Sequence, residues 1–355
     1  MQRAYVILMI VAVFACLFGI VNSYGQGVGN KLILETDMGN DVDDALALDM
    51  LYKYIESGRV DLLGVMINKN NKYAAEFIDI MGTWYGHSNV PVGVVKNGIA
   101  DEQDAVNYAQ VVSEMKNGGK PLFEHTWKDY ELLPEAARLY REILAKQPDS
   151  SVTIVSVGFF VNLAQLLETK SDEFSSLNGR DLVARKVKLL TVMAGSFGEN
   201  AIASYNIRKD IQSADKVFSE WPTRIVASPA EVGIQIKYPG ASILTDFCWA
   251  KKHPLVEAYM AYLPMPYDRP TWDLTNVLYA VESENPHMEE SAPGKIVVDC
   301  NGFTHFNEEN DGKHSYLLVS KNEVEIIKEY FVKLITRKPL KYSSPDESKI
   351  KCKIK

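Results

Sequence analysis

Cysteine and histidine are scarce in this chain, and neither falls into a pattern. Cys16, Cys248, Cys300 and Cys352 are far apart, with no CxxC pair, and the six histidines show no ligand spacing. That excludes a disulfide framework and a Cys/His metal site, and leaves the thiols as structural residues, with at most one pair. A surplus of positive charge is missing too. Lys and Arg number 38 against 46 Asp and Glu, a formal charge of −8. An acidic surface repels nucleic acid and anionic membranes, so neither is expected as a partner, and small-molecule substrates stay open. No internal repeat and no linker-like composition interrupts residues 26–340. One domain is expected there, with 46% hydrophobic residues to build its core.

The chain opens on Arg3 and then a nearly unbroken apolar run from Ala4 to Ile20, followed by Val21-Asn22-Ser23-Tyr24-Gly25. This is the layout of a secretory signal over residues 1–25, with cleavage after Ser23 or Gly25. The rival is an uncleaved anchor, since the run nearly spans a bilayer. Apolar residues continue past Cys16, which makes it a poor lipidation site. Cleavage would remove Arg3 alone among charged residues, leaving 37 basic against 46 acidic side chains, a formal −9. A secreted or periplasmic protein is expected, with no membrane contact once the signal is gone.

Beyond that, short apolar runs alternate with segments of helical spacing. Lys31–Thr36, Val60–Ile67, Val90–Val95, Ser151–Val157, Val187–Ala194 and Thr223–Ala227 read as strands. Asp43–Ser57, Tyr73–Tyr85, Leu133–Gln147, Val161–Glu168, Asp273–Glu282 and Lys321–Ile335 read as helices. The alternation predicts an α/β fold with a mostly parallel sheet and helices on both faces. Ligands of such sheets sit at the carboxyl ends of strands. The stretch 96–129 has no clear period and reads as a long surface loop or lid, and 341–355 reads as a polar tail.

The densest chemistry in the sequence lies at such a strand end. Asp37-Met38-Gly39-Asn40-Asp41-Val42-Asp43-Asp44 gathers four carboxylates directly after the first apolar run and directly before the first helix. Like charges this close repel, and a hard cation relieves them. With oxygen donors and no Cys or His nearby, the cation expected is Ca²⁺ or Mg²⁺ rather than zinc. A merely solvated helix start needs fewer acids than this. An EF-hand loop fails because its glycine and its bidentate glutamate are missing at their places. An aspartyl phosphatase would want Asp-x-Asp at the strand end, whereas Asp41-Val42-Asp43 lies several residues beyond it.

Glu35 to Ala45 resembles the N-terminal signature of the inosine–uridine preferring nucleoside hydrolases. Three later segments resemble the same family in the same order: Val155 to Ala164, Met193-Ala194-Gly195 followed by Tyr205-Asn206, and Trp272-Asp273. The resemblance covers most of residues 31–335. It implies one Ca²⁺, hydrolysis of the N-glycosidic bond of ribonucleosides, and a homo-oligomer as a common state. Carried onto this chain, it implies Asp37, Asp44, Asp273 and the main-chain carbonyl of Val157 as metal ligands. Asp37 would also be the base that deprotonates the attacking water. Asp43 and Asn206 match groups that hold the ribose hydroxyls, and Asn40 and Asn68 are added as ribose contacts. The spacing after Gly39 is longer than in the shortest family pattern, so Asp41 and Asp43 both stay open for the ribose role. Glu35 stands where Asp is common, and Ser204 where many members carry a Glu for the 5′-hydroxyl. Trp272 stands where pyrimidine-accepting members have a His, which resembles the purine-preferring branch, where an aromatic stacks on the base. Trp272 as a core residue, and Asn68 and Asn206 as turn residues, are the plain alternatives. Another ribosyl or glycosyl substrate, or a metal-containing binding protein without turnover, are the rival functions. His125 is the outside candidate for the acid that protonates the leaving group.

Overall fold

The computed structural model describes residues 29–100, 106–127, 129–282 and 287–342. The expected export signal lies outside them, as does the expected tail apart from Lys341 and Tyr342, which belong to a short 3-10 turn. No helix among the described residues is long and apolar enough to cross a membrane.

Nine strands form the main path of a ten-stranded sheet. They are β1 (Asn30–Thr36), β2 (Val60–Asn70), β3 (Val92–Ala100), β4 (Val152–Ser156), β5 (Val187–Met193), β6 (Arg224–Ser228), β7 (Gly294–Val298), β8 (Thr304–Glu308) and β9 (His314–Leu318). The spatial order is β8-β7-β9-β6-β5-β4-β1-β2-β3. From β3 to β9 every pairing is parallel, and β7 and β8 close one edge antiparallel. This is the mostly parallel sheet the alternation predicts.

The central strands are buried on both faces, which is why they read as continuous apolar runs. Along β1, Leu32 and Leu34 enter one core layer and Ile33 the other, the two-residue period of a strand. The first layer is roofed by α1 (Asp43–Glu56), α2 (Lys72–Tyr85), α8 (Trp272–Val281) and α9 (Lys321–Ile335). The second is roofed by α4 (Ala136–Ala145), α5 (Val161–Glu168), α6 (Gly179–Lys186) and α7 (Ile211–Glu220). The spans expected for α1, α2, α5, α8 and α9 match to within a residue.

One expectation is corrected. Among its described residues, the stretch 96–129 is not a structureless surface loop. Within it β3 runs on to Ala100, and α3 (Tyr108–Ser113) packs on α2 with Tyr108, Ala109 and Val112 buried. The Tyr108 hydroxyl accepts the Gly39 N–H at 3.2 Å and lies 3.0 Å from Met38 Sδ, so this segment supports the acidic loop from within the core. Gly39 itself has φ +137°, and a Cβ there would come within 2.0 Å of Asn71 Nδ2. Among the cysteines, Cys248 is disulfide-bonded, within the one pair the sequence allows, and Cys300 is free and exposed.

Replacing Tyr108 by Phe removes the acceptor of a buried N–H. A loss of about 1–2 kcal/mol is expected in urea unfolding, together with weaker activity because the loop carries Asp37. A variant as stable and active as the parent would show that the hydroxyl does not hold the loop.

Candidate active site

The carboxyl ends of β1, β2, β4 and β5 open into one cavity of about 350 Å³. That volume suits a small ligand. Asp37 and Asn40 enter it from the turn after β1, Asp43 and Asp44 from the first turn of α1, Lys69 from β2, and Val157 from the end of β4. Met193 closes β5, and Trp272 and Asp273 stand in the first turn of α8. Asn206, from the short helix Tyr205–Lys209, completes the floor. Residues from positions 37 to 273 thus meet because parallel strands deliver their ends to one side.

The carboxylates are buried and crowded. Asp43, Asp44 and Asp273 are 1%, 2% and 4% exposed. Burial pushes all three carboxyls well above the usual range, and neighbouring charge pushes further: chiefly Asp41 on Asp43, Asp37 on Asp44, and Asp43 on Asp273. Asp43 Oδ2 accepts the Asp273 N–H at 3.2 Å, and Asp44 accepts a hydrogen bond from the Thr36 hydroxyl. Both α1 and α8 point their N-termini into this cluster, so the helix dipoles offset part of the repulsion.

The donor set suits a hard cation. It holds only oxygen, its carboxylates repel one another, and it includes a strand-end carbonyl. As arranged here the donors are turned onto protein partners. Asn206 Nδ2 donates to the Val157 carbonyl at 2.9 Å, and among the described residues no three His, Cys, Asp or Glu side chains form a preformed metal cage. The fit is therefore one of donor chemistry and burial, and ion binding would exchange these hydrogen bonds for coordination.

The amide side chains divide by role. Asn40 lines the cavity and its Oδ1 accepts from Lys69 Nζ. Asn206 braces β4 to β5, donating also to the Met193 carbonyl at 3.1 Å, while facing the cavity. Asn68 stands behind the wall. Its Nδ2 donates to Glu35 Oε2 at 2.8 Å and its Oδ1 accepts the Phe159 N–H at 3.1 Å. Its amide is spent on fixing the turn after β4, not on a ribose. Gly158 in that turn admits no side chain, since a Cβ would come within 2.6 Å of the Asp37 nitrogen. Glu35 is fully buried beneath Asn68 and Asn162, and burial lifts its carboxyl to about 8.

Asp41 and Asp43 are separated by their surroundings. Asp41 pairs through both oxygens with Arg269, whose Nε lies 3.0 Å from Oδ1, whereas Asp43 belongs to the buried cluster. Trp272 donates Nε1–H to the Ala230 carbonyl at 3.1 Å and carries Arg269 over its ring. The Ser204 hydroxyl accepts the Gly195 N–H at 3.1 Å. His125 is elsewhere: its Nδ1 is 3.0 Å from the Tyr130 hydroxyl, in a network around Asp79. Sequence reasoning missed Lys69, Arg269 and Tyr262 as cavity residues. A cation adjoining Asn68 and another three residues before Trp272 were the available signals.

The family model of the inosine-uridine preferring nucleoside hydrolases matches residues 32–329. The chain belongs to that family. A plant nucleoside hydrolase, PpNRh1, superposes with TM-score 0.64 at 18% identity, covering 86% of this chain and 99% of the other. A purine-preferring ribonucleoside hydrolase from Gardnerella vaginalis gives 0.63 at 17%, covering 86% and 98%. The type III effector XopQ, in a complex with adenosine diphosphate ribose, gives 0.60 at 14%, covering 88% and 95%. These likenesses establish the fold. Among curated proteins none matches this chain. As a nucleoside hydrolase by family, the chain belongs to enzymes that cleave N-glycosidic bonds and generally use a metal ion.

A carboxyl whose pKa is raised on folding binds more protons in the native state. Its stabilising contribution is full below the unfolded value and is lost as pH rises through the folded one. For Glu35 that window runs from about 4.5 to about 8, and Asp43, Asp44 and Asp273 shift in the same direction. In chelator, the melting temperature should fall as pH rises from 4.5 to 8. A divalent cation should recover most of the loss at the upper end. A melting temperature independent of pH in chelator would contradict this electrostatic picture.

Proposed function

We propose that this chain is an exported, Ca²⁺-dependent hydrolase of ribonucleosides that leans towards purines. One observation carries the reading: Asp37, Asp43, Asp44, Asp273, Asn206 and Trp272 line a single cavity although they come from distant parts of the chain. Asp37, Asp44, Asp273 and the Val157 carbonyl would hold the ion, and oxygen donors of this kind favour calcium over zinc. When bound, the cation neutralises the carboxylates and acidifies water.

The remaining work belongs to the protein. Asp37 takes the proton of the attacking water. Asp43, with Asn206 and Asn40, takes the ribose hydroxyls, while Asp41 is committed to Arg269. A ribosyl carbon losing its base becomes cationic, and a floor of carboxylates favours that charge more than it favours the neutral substrate. Trp272 and the guanidinium over it form a flat wall against which a purine can lie.

A second reading, another ribosyl compound on the same machinery, draws on Ser204. A hydroxyl bonded to a backbone N–H stands where a carboxylate would grip a free 5′-hydroxyl. The ADP-ribose in the XopQ neighbour shows that a protein of this fold can hold a 5′-substituted ribosyl ligand.

Ribose release from a nucleoside panel should require Ca²⁺ and stop in chelator. Asp37→Ala should lower kcat by about 10³-fold or more. Near-normal turnover by that variant would remove the proposed base. Release only from 5′-substituted ribosyl compounds would favour the second reading.

A further inference from the structure

A second cavity, of about 560 Å³, shares no lining residue with the catalytic one. Its walls are aromatic and basic. Trp84 comes from the last turn of α2, Trp249 follows Cys248, and Tyr342 is the last described residue. The Trp84 and Tyr342 rings are 4.7 Å apart, centre to centre, and Trp249 lies 5.9 Å from each. Trp249 is held in place by its Nε1–H, which donates to the Thr336 carbonyl at 3.2 Å. Lys341 lies 5.0 Å from the centre of Trp84 and 4.9 Å from that of Tyr342, within cation–π range of both. With Lys251 and Lys252 it puts three cations in the lining against one acid, Glu124. Lys252 pairs with Glu257 at 2.7 Å, which leaves the cationic surplus to Lys251 and Lys341. A cluster of ring faces open to water is apolar surface that something should cover.

We propose that the occupant is the chain's own segment 343–352, a strap laid over the aromatic rings and locked by a disulfide between Cys248 and Cys352. Three observations select it. Cys248 is disulfide-bonded and Cys300 is free, which leaves Cys16 and Cys352 as partners. Cys16 belongs to the export signal expected over residues 1–25, so in an exported chain the partner is Cys352. Both tethers of the strap then stand on the rim of this cavity: Tyr342 in its wall, and Cys248 next to Trp249. Fully extended, residues 343–351 reach about 30 Å, enough to cross a cavity of this size. Charge points the same way. Asp346 and Glu347 lie midway along the strap, and the lining offers Lys251 and Lys341 to face them. Forming the bond takes two protons and two electrons from the two thiols. A disulfide oxidant of the exporting compartment accepts them and is reduced to its dithiol. In a reducing compartment the strap is untied and the rings are bare, so closure is coupled to export. The inference shares export with the reading above, and nothing of its chemistry.

The test uses the exported full chain, purified without reductant, and reads no turnover, so it stands apart from the ribonucleoside reading. Mass spectrometry of a non-reduced digest should find one linked pair of peptides holding Cys248 and Cys352, which separates on reduction. A free thiol at either residue, or Cys248 linked to any other cysteine, would overturn the proposal. Acrylamide quenching of tryptophan fluorescence then reads whether Trp84 and Trp249 are covered. Cys352→Ser should raise the quenching and shift the emission to the red, as rings gain water. Reduction of the wild type by dithiothreitol makes the same comparison without a substitution, should the variant not fold. Equal quenching with and without the disulfide would mean that the linked segment lies off the rings, and would overturn the strap. Asp346→Asn combined with Glu347→Gln keeps the disulfide and removes the charge, so it should raise quenching to a smaller extent. No change in that double variant would overturn the seating of the strap on the lysines.

Discussion

Everything around the cavity answers one constraint, the burial of like charges at the end of β1. Asp43, Asp44 and Asp273 sit within a few per cent of complete burial, and burial first, then neighbouring carboxylates, raises their cost of ionisation. An isolated loop could not hold them together. The parallel register of β1 with β2 and β4 fixes where the acidic turn begins. Tyr108 holds Gly39 from inside the core, and Asp41 ties the loop to Arg269, just before α8. The start of α8 is in turn tied back by the hydrogen bond from the Asp273 N–H to Asp43. A fold that invests this much order in keeping carboxylates close gains nothing in stability from them, which is the reason to look for function there.

What the sequence made legible was the part of this design that is local. A strand buried on both faces is an apolar run, and a helix start that gathers carboxylates is a run of acids, so β1, α1 and the acidic turn can be read directly. The four ordered segments then placed Val157, Asn206, Trp272 and Asp273. The antiparallel edge was not legible because its strands are half exposed: β7 alternates buried and exposed residues over only five positions. The stretch 96–129 misled because its buried residues, Tyr108, Ala109 and Val112, are diluted by a polar surround. Asn68 misled in another way. Position at a strand end is shared by residues that face the ligand and residues that brace those that do, and only the bonds to Glu35 and Phe159 separate the two.

Arg269 could not be read from its neighbours because its partner is Asp41, 228 positions away. Long-range ion pairs leave no trace in periodicity or composition. Yet this pair explains why Asp41 and Asp43, two residues apart, have different environments. One is neutralised by a guanidinium at the cavity wall and the other is left among the carboxylates. The ambiguity in the sequence is resolved by a charge that the sequence places nowhere near it.

The distribution of charge across the cavity also bears on the chemistry. Glycosidic cleavage creates positive charge on the sugar and negative charge on the base, so a uniformly acidic site would help one half of the reaction and oppose the other. Here the carboxylates gather on the floor with Asn206, while Arg269 and two aromatic rings make a wall. Separated charges of opposite sign in one desolvated space favour a transition state that is itself dipolar. They favour it without a titrating histidine, because a guanidinium keeps its charge at any pH at which the protein folds.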